Sequence, residues 1–321
     1  MVREKNTNIA TERFTNKRRR YLSSPRNYAR AAILSSIAFS GWSFSDVLLK
    51  LVRREGVPQG EILLISGISG MAVIFLISAL RGTLPRLHPQ RWGGLLTIGL
   101  CQLASFIFWM MALPRLPLTT MYVVTFLTPM TVACLAALIL KERIGWKRAV
   151  AIATGFVGVV IAVNPENLIQ HGVAWLPYLA LIGSMAGTAV QMLLLRVLAG
   201  RENNECTAFY PRSIIAVAGL ASCVASGFSA MSLWAFLSIC ASGALGGIGW
   251  ALMAQAYKDA PAAAVAPFQY SQMITGALLG YLIWSDVPNA YLLCGTAIII
   301  ASGLYLVRHE RRVSRMMVRA E

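Results

Sequence analysis

Of the 321 residues, 57% are hydrophobic and only 13% are charged, with a mean hydropathy of +0.62. Soluble domains carry about 25% charged residues, so the composition excludes an ordinary soluble fold and points to an integral membrane protein. The net charge of +16 raises nucleic acid as a partner, but the Lys and Arg residues sit between apolar runs and at the two ends, where lipid headgroups and topology place them; nucleic acid is set aside and membrane lipids are the expected surroundings.

Residues 1–30 are polar and basic, with Lys17, Arg18, Arg19 and Arg20 in a row. About 30 residues pass before the first apolar run, too many for a cleaved signal peptide, and the segment reads as a disordered cytoplasmic tail. Crossing the hydrocarbon core takes about 20 apolar residues in a helix. Ten windows meet or approach that length: Ala31 to Leu51, Glu61 to Leu80, Trp92 to Leu113, Thr119 to Leu140, Ala149 to Val163, Trp175 to Leu198, Thr207 to Phe228, Leu233 to Tyr257, Pro261 to Trp284 and Ala290 to Val307. The fifth and tenth are short. Helices are required, because backbone groups in lipid must be satisfied within their own segment; a membrane barrel would use segments about half as long.

With the N-terminus in the cytoplasm, 25 of the 29 Lys and Arg fall inside, Arg196, Arg201 and Arg212 among them, and only Lys50, Arg53, Arg54 and Arg115 fall outside. This imbalance fits ten helices with both termini cytoplasmic. The second half also echoes the first. Ala112 to Val163 and Ala254 to Val307 share one order of small residues, proline, polar interruption, apolar run, acidic residue (Glu142 or Asp286) and second apolar run. Between the two runs lies a basic hinge, Lys141 to Arg148, in the first copy and an uncharged-to-acidic one, Ser285 to Asn289, in the second. Five helices per copy is odd, so the copies enter the membrane from opposite sides. The expected fold is an all-α integral membrane protein of ten transmembrane helices in two inverted five-helix repeats, 31–163 and 164–307, followed by a basic tail, 308–321.

The stretch Ala112 to Arg143, with LTTMYVVTFLTP followed by an apolar run and KER, resembles the repeated unit of the EamA branch of the drug/metabolite transporter superfamily. APFQYSQMITGALLGYLIWSDVP, Ala266 to Pro288, resembles it too, and the similarity covers nearly all of Ala31 to Val307. Within the branch, GWSFSDVLLKLV at Gly41 to Val52 is similar to carriers related to the rickettsial S-adenosylmethionine transporter. The resemblance implies a secondary carrier of a small organic solute in a bacterial inner membrane. Relatives with these motifs move amino acids, nucleoside-like metabolites, riboflavin or opine-type metallophores, in either direction.

Asp46 and Lys50 stand four residues apart in the first window and share a helix face. An ionisable residue at membrane depth normally faces a bundle or wet cavity and marks a pathway. A proton taken up and released by Asp46 would couple transport to the proton gradient; alternatively, Lys50 snorkels to the headgroups and Asp46 is its structural partner. Gln191 occupies the place of Asp46 in the echo, with Arg196 one place beyond the equivalent of Lys50. Trp42, Trp109, Tyr122, Phe126, Trp250, Tyr257, Phe268, Gln269, Tyr270 and Gln272 form an aromatic and polar set suited to a ring-bearing or zwitterionic solute, or to interfacial anchoring. Pro129 and Pro267 are expected to interrupt the fourth and ninth helices near their middles.

Gly155, Gly158, Gly243, Gly246, Gly247, Gly249, Gly276 and Gly280 are read as close-packing positions. The run from Gly243 to Gly249 lacks the Lys and Ser/Thr of a phosphate loop, so gradient-driven transport is expected rather than a primary pump. The six cysteines are scattered and read as core residues, and His88, His171 and His309 lie in loops or tails without metal-site or triad companions. No catalytic group, cofactor or metal is expected; a membrane-embedded enzyme or a channel remains the alternative class.

Overall fold

A computed structural model describes residues 25–139, 146–164, 175–198, 202–259, 265–287 and 289–320. The N-terminal tail to residue 24, Lys141, Glu142 and Arg143 of the basic hinge, His171, Arg201 and Pro288 lie outside the described residues. The described residues fold into α1 (Pro25–Arg54), α2 (Gln59–Leu80), a short 3-10 turn (Leu84–Leu87), α3 (Trp92–Ala112), α4 (Leu118–Thr125), α5 (Thr128–Ile139), α6 (Trp146–Val163), α7 (Leu176–Leu198), α8 (Asn204–Ser226), α9 (Leu233–Asp259), a second 3-10 turn (Ala266–Gln269), α10 (Tyr270–Trp284) and α11 (Ala290–Ala320). Taking α4 with α5 as one span gives ten. Seven are long and apolar enough to cross a membrane, and Ala149–Val163 of α6 and Ala290–Tyr305 of α11 are shorter apolar stretches. Ile33, Leu76, Leu80, Val224 and Leu282 are among the large apolar side chains left exposed, as a bundle facing lipid requires. This is a multi-pass membrane protein.

Proline chemistry decides the two irregular spans. The fourth window breaks at Phe126 and Leu127, and Pro129 falls in the first turn of α5, where a missing N–H is tolerated. Pro129 cannot donate to the carbonyl of Thr125; the hydroxyl of Thr128 donates to it instead, at 2.5 Å. Pro267 is not mid-helix as its neighbours in sequence imply. It lies in the 3-10 turn that leads into α10, for the same reason: the first turn is where proline costs least. The last helix also runs past Val307 to Ala320.

The helices pair in a definite pattern. The main partners are α1 with α9, α3 with α7, α2 with α8 and with α9, α3 with α8, α1 with α10, α7 with α4 and α5, α4 with α10, and α6 with α11. Small residues permit the closest approaches: a Cβ on Gly67 would stand 2.8 Å from the backbone nitrogen of Ala216, and one on Gly158 3.0 Å from the carbonyl oxygen of Gly295. Hydroxyls bind the pairs laterally. Ser45 and Ser242 share a hydrogen bond of 2.6 Å between α1 and α9, and Ser43 donates to the Gln272 carbonyl at 2.7 Å between α1 and α10. The larger core surrounds α4, with Leu118, Met121 and Val123 fully buried.

Candidate functional site

A cavity of about 250 Å³ opens within the bundle, lined by residues of α1, α2, α3, α4, α5, α7, α8 and α9, and by Gln269 and Gln272. Asp46 faces it from the last third of α1. Both carboxylate oxygens are engaged: Trp109 Nε1 donates to Oδ1 at 3.1 Å, and the Tyr122 hydroxyl donates to Oδ2 at 2.8 Å. The two donor rings stack on each other, with centroids 6.2 Å apart and planes 27° apart. Tyr122 is 1% exposed, and its ring packs directly over Gly276 of α10, where a Cβ would overlap it. Thus a glycine on one helix aims a phenol on a second helix at a carboxylate on a third.

Trp42 is set in a comparable way. Its indole lies against Gly249 of α9, where a Cβ would stand 2.8 Å from Cε2, and its ring meets Phe39 edge-on at 5.3 Å and Trp250 at 6.2 Å. Among the sequence candidates, Trp42, Asp46, Trp109, Gln269 and Gln272 line the cavity. Tyr122 stands immediately behind Asp46. Phe126 and Tyr270 pack edge to face at 5.1 Å in the core, Trp250 backs Trp42, and Phe268 packs with Phe39, Met253 and Val265. Gln191 is buried and donates to Gln102, a lining residue, at 3.4 Å. The side chains of Tyr257 and Arg196 lie outside the described set.

Lys50 and Asp46 do not pair. Lys50 is 2% exposed, donates to the Leu116 carbonyl at 2.7 Å and lies 4.6 Å from the centre of the Trp284 ring. One helical turn separates the two residues, and the carboxylate turns inward to its aromatic donors while the ammonium closes the end of the bundle.

Three features of the site escape a linear reading. Arg212, counted by sequence with the cytoplasmic charges although it falls within the seventh window, lies two turns into α8 and lines the cavity. Gly246, Gly249 and Gly276, which read as packing positions, receive Arg212, Trp42 and Tyr122 respectively. Thr125 and Thr128, at the break between α4 and α5, place hydroxyl-bearing side chains in the lining. Only the last had a sequence signal, the T-x-x-T-P spacing around Pro129.

At the end of the bundle opposite Lys50, the backbone N–H groups of Gln90 and Arg91 donate to Glu202 Oε2 at 2.9 and 2.8 Å, and that of Asn203 donates to Oε1 at 3.0 Å. Desolvation pulls the Glu202 carboxyl upward, but these donors outweigh it and hold it below the usual carboxylate range. Arg30 pairs with Asp259 at 3.4 Å at the same end.

The EamA-like transporter family matches residues 29–164 and 175–308, one repeat in each half. The S-adenosylmethionine uptake transporter of Rickettsia bellii is 26% identical over 67% of this chain and 72% of its own length. The riboflavin transporter of Rhizobium johnstonii is 26% identical over 64% of this chain and 67% of its own, and the pseudopaline exporter of Pseudomonas aeruginosa is 24% identical over 87% and 95%. A solved crystal structure shares the fold, with a TM-score of 0.63 at 19% identity, covering 89% of this chain and 99% of that one. With both halves matched and each of these named relatives a transporter, this chain is a member of the EamA-like transporter family.

Proposed function

We propose that the protein is a secondary permease of the bacterial inner membrane that moves a small organic metabolite, such as an amino acid or an S-adenosylmethionine-like compound, by alternating access around the cavity at Asp46. The observation that carries this reading is the cavity itself: a carboxylate on a central helix, held by two aromatic donors and bordered by indole, amide and hydroxyl groups. Such a wall recognises a cationic group and stacks on a ring. Uptake of S-adenosylmethionine by the rickettsial relatives agrees with a solute of that kind.

The helix pairing supports two inverted halves. Exchange of the first five spans with the last five turns α1–α9 into α3–α7, α2–α9 into α3–α8, and α1–α10 into α7 with α4 and α5; α2–α8, α6–α11 and α4–α10 map onto themselves. Main pairings invariant to that exchange are what two interconvertible halves need in order to swap conformations. The Lys and Arg distribution supports cytoplasmic termini. Asp46 is the group on which proton coupling rests in this reading.

Comparative metabolite profiling of cells with and without the protein, followed by uptake of the shifted compound in proteoliposomes under an imposed pH gradient, tests the proposal. Asp46→Asn is expected to lower uptake by up to about 100-fold, the equivalent of one charge-assisted contact, and to abolish the response to the gradient. Full, gradient-driven uptake by the variant removes Asp46 from the mechanism. The second reading is an exporter of an opine-type metallophore or a riboflavin carrier, favoured by the match of the pseudopaline exporter along 87% of the chain. Accumulation outside the cell rather than inside separates the two.

A further inference from the structure

Arg212 is the second ionisable residue among the described residues of the cavity wall, and among the described residues it has no ion-pair partner. It follows Pro211 within α8 and reaches the same lining as Asp46. Its Nε is buried and makes no hydrogen bond. The described ion pairs are Arg30 with Asp259 and Arg86 with Glu205, and neither involves it. A guanidinium at membrane depth normally finds a carboxylate or backbone carbonyls, so one that is held without either needs another reason to be there.

The way it is held supplies that reason. Its terminal nitrogens lie in a slot between two helix backbones: a Cβ on Gly246 of α9 would stand 2.5 Å from Nη2 and 3.0 Å from Nη1, and one on Gly70 of α2 would stand 3.3 Å from Nη1. The two glycines leave the guanidinium a place and no competing side chain. In the same lining, Asp46 is bonded to Trp109 and Tyr122, and no described ion pair joins it to Arg212. Among the described lining residues these two are the charged types, and a carboxylate and a guanidinium sum to zero. Opposite charges that share a cavity yet form no ion pair leave complementary places for the two charges of one guest. A phosphate dianion would meet a single cation beside a carboxylate; a carboxylate matches the planar fork of one guanidinium and, with a cationic group near Asp46, leaves the cavity neutral.

We propose that Arg212 is the anion-binding residue of the cavity, which grips the carboxylate of a zwitterionic solute whose cationic group lies toward Asp46. This rests on the permease reading and adds to it a residue and a chemical requirement: transported compounds carry a carboxylate.

The test is uptake into proteoliposomes of matched pairs, S-adenosylmethionine with its decarboxylated form and methionine with 3-(methylthio)propylamine, alongside riboflavin and glucose 6-phosphate. The wild-type protein is expected to take up at least one carboxylated member faster than its partner by about tenfold, the scale of one charge-assisted contact. Arg212→Gln is expected to erase that preference, and Arg212→Lys to retain part of it. Because the guanidinium has no ion-pair partner among the described residues, both variants are expected to melt at or above the wild-type temperature. Wild-type flux that ignores the carboxylate, flux confined to riboflavin or glucose 6-phosphate, or an Arg212→Gln protein that keeps the preference overturns the inference and leaves the permease reading intact. A lowered melting temperature with the preference retained makes Arg212 a structural residue and also overturns it. Absence of flux for every probe with the wild-type protein counts against both.

Discussion

Lys50 and Arg212 are two cations enclosed by the same bundle, and they are held in opposite ways. Lys50 is 2% exposed, its ammonium bonded to the Leu116 carbonyl and covered by the Trp284 ring. Arg212 borders the cavity with a buried Nε that has no acceptor. A satisfied buried charge makes a joint, here between α1, the α3–α4 turn and the end of α10. An unsatisfied one next to open volume is a place for something else. The difference separates the parts of the molecule that close it from the part that receives a guest, and it does so without reference to which residue types are usually functional.

The comparison has consequences of different sizes. Lys50→Ala removes the donor to Leu116 and the cover of Trp284 and is expected to lower stability by about 3 kcal/mol, read as a fall in melting temperature; unchanged stability would make Lys50 as loosely held as Arg212. Tyr122→Phe strips one donor from the Asp46 carboxylate and leaves the ring over Gly276, for an expected loss of about 2 kcal/mol, seen in denaturation and in weaker solute binding. Gly246→Ala adds a methyl against the Arg212 guanidinium and is expected to cost about 1 kcal/mol in stability while lowering uptake several-fold; Gly247→Ala, whose nearest neighbours are the Gly70 carbonyl and Val73, controls for crowding without contact to Arg212. If the two glycine variants transport alike, the slot has no special standing.

The smallest effect lies at the far end. Glu202→Gln weakens the acceptor of three backbone donors and is expected to cost under about 1 kcal/mol at neutral pH. Since the folded carboxyl is held below its ordinary range, the stability it contributes is present above the unfolded value and is lost as pH falls through the folded one. Wild type and variant should therefore differ at pH 7 and converge in acid, as followed by thermal unfolding.

Length and polarity run along the chain, so the chain alone determined the apolar windows, the multi-pass membrane character and the family. The break of the fourth span was legible too, because Pro129 removes a donor wherever it stands. Partners across helices depend on how each helix is rotated and which neighbour approaches it. The spacing of Asp46 and Lys50 makes them look like a pair, yet the tertiary structure gives the carboxylate to Trp109 and Tyr122 and the ammonium to Leu116. Arg212 counted as one more cytoplasmic charge of the seventh window until α8 carried it into the cavity lining, and Gly246 and Gly276 looked like packing positions until a guanidinium and a phenol were found against them. Segment-level facts follow from one-dimensional hydrophobicity; the site follows from contacts among α1, α3, α4, α8, α9 and α10, which the fold alone brings together.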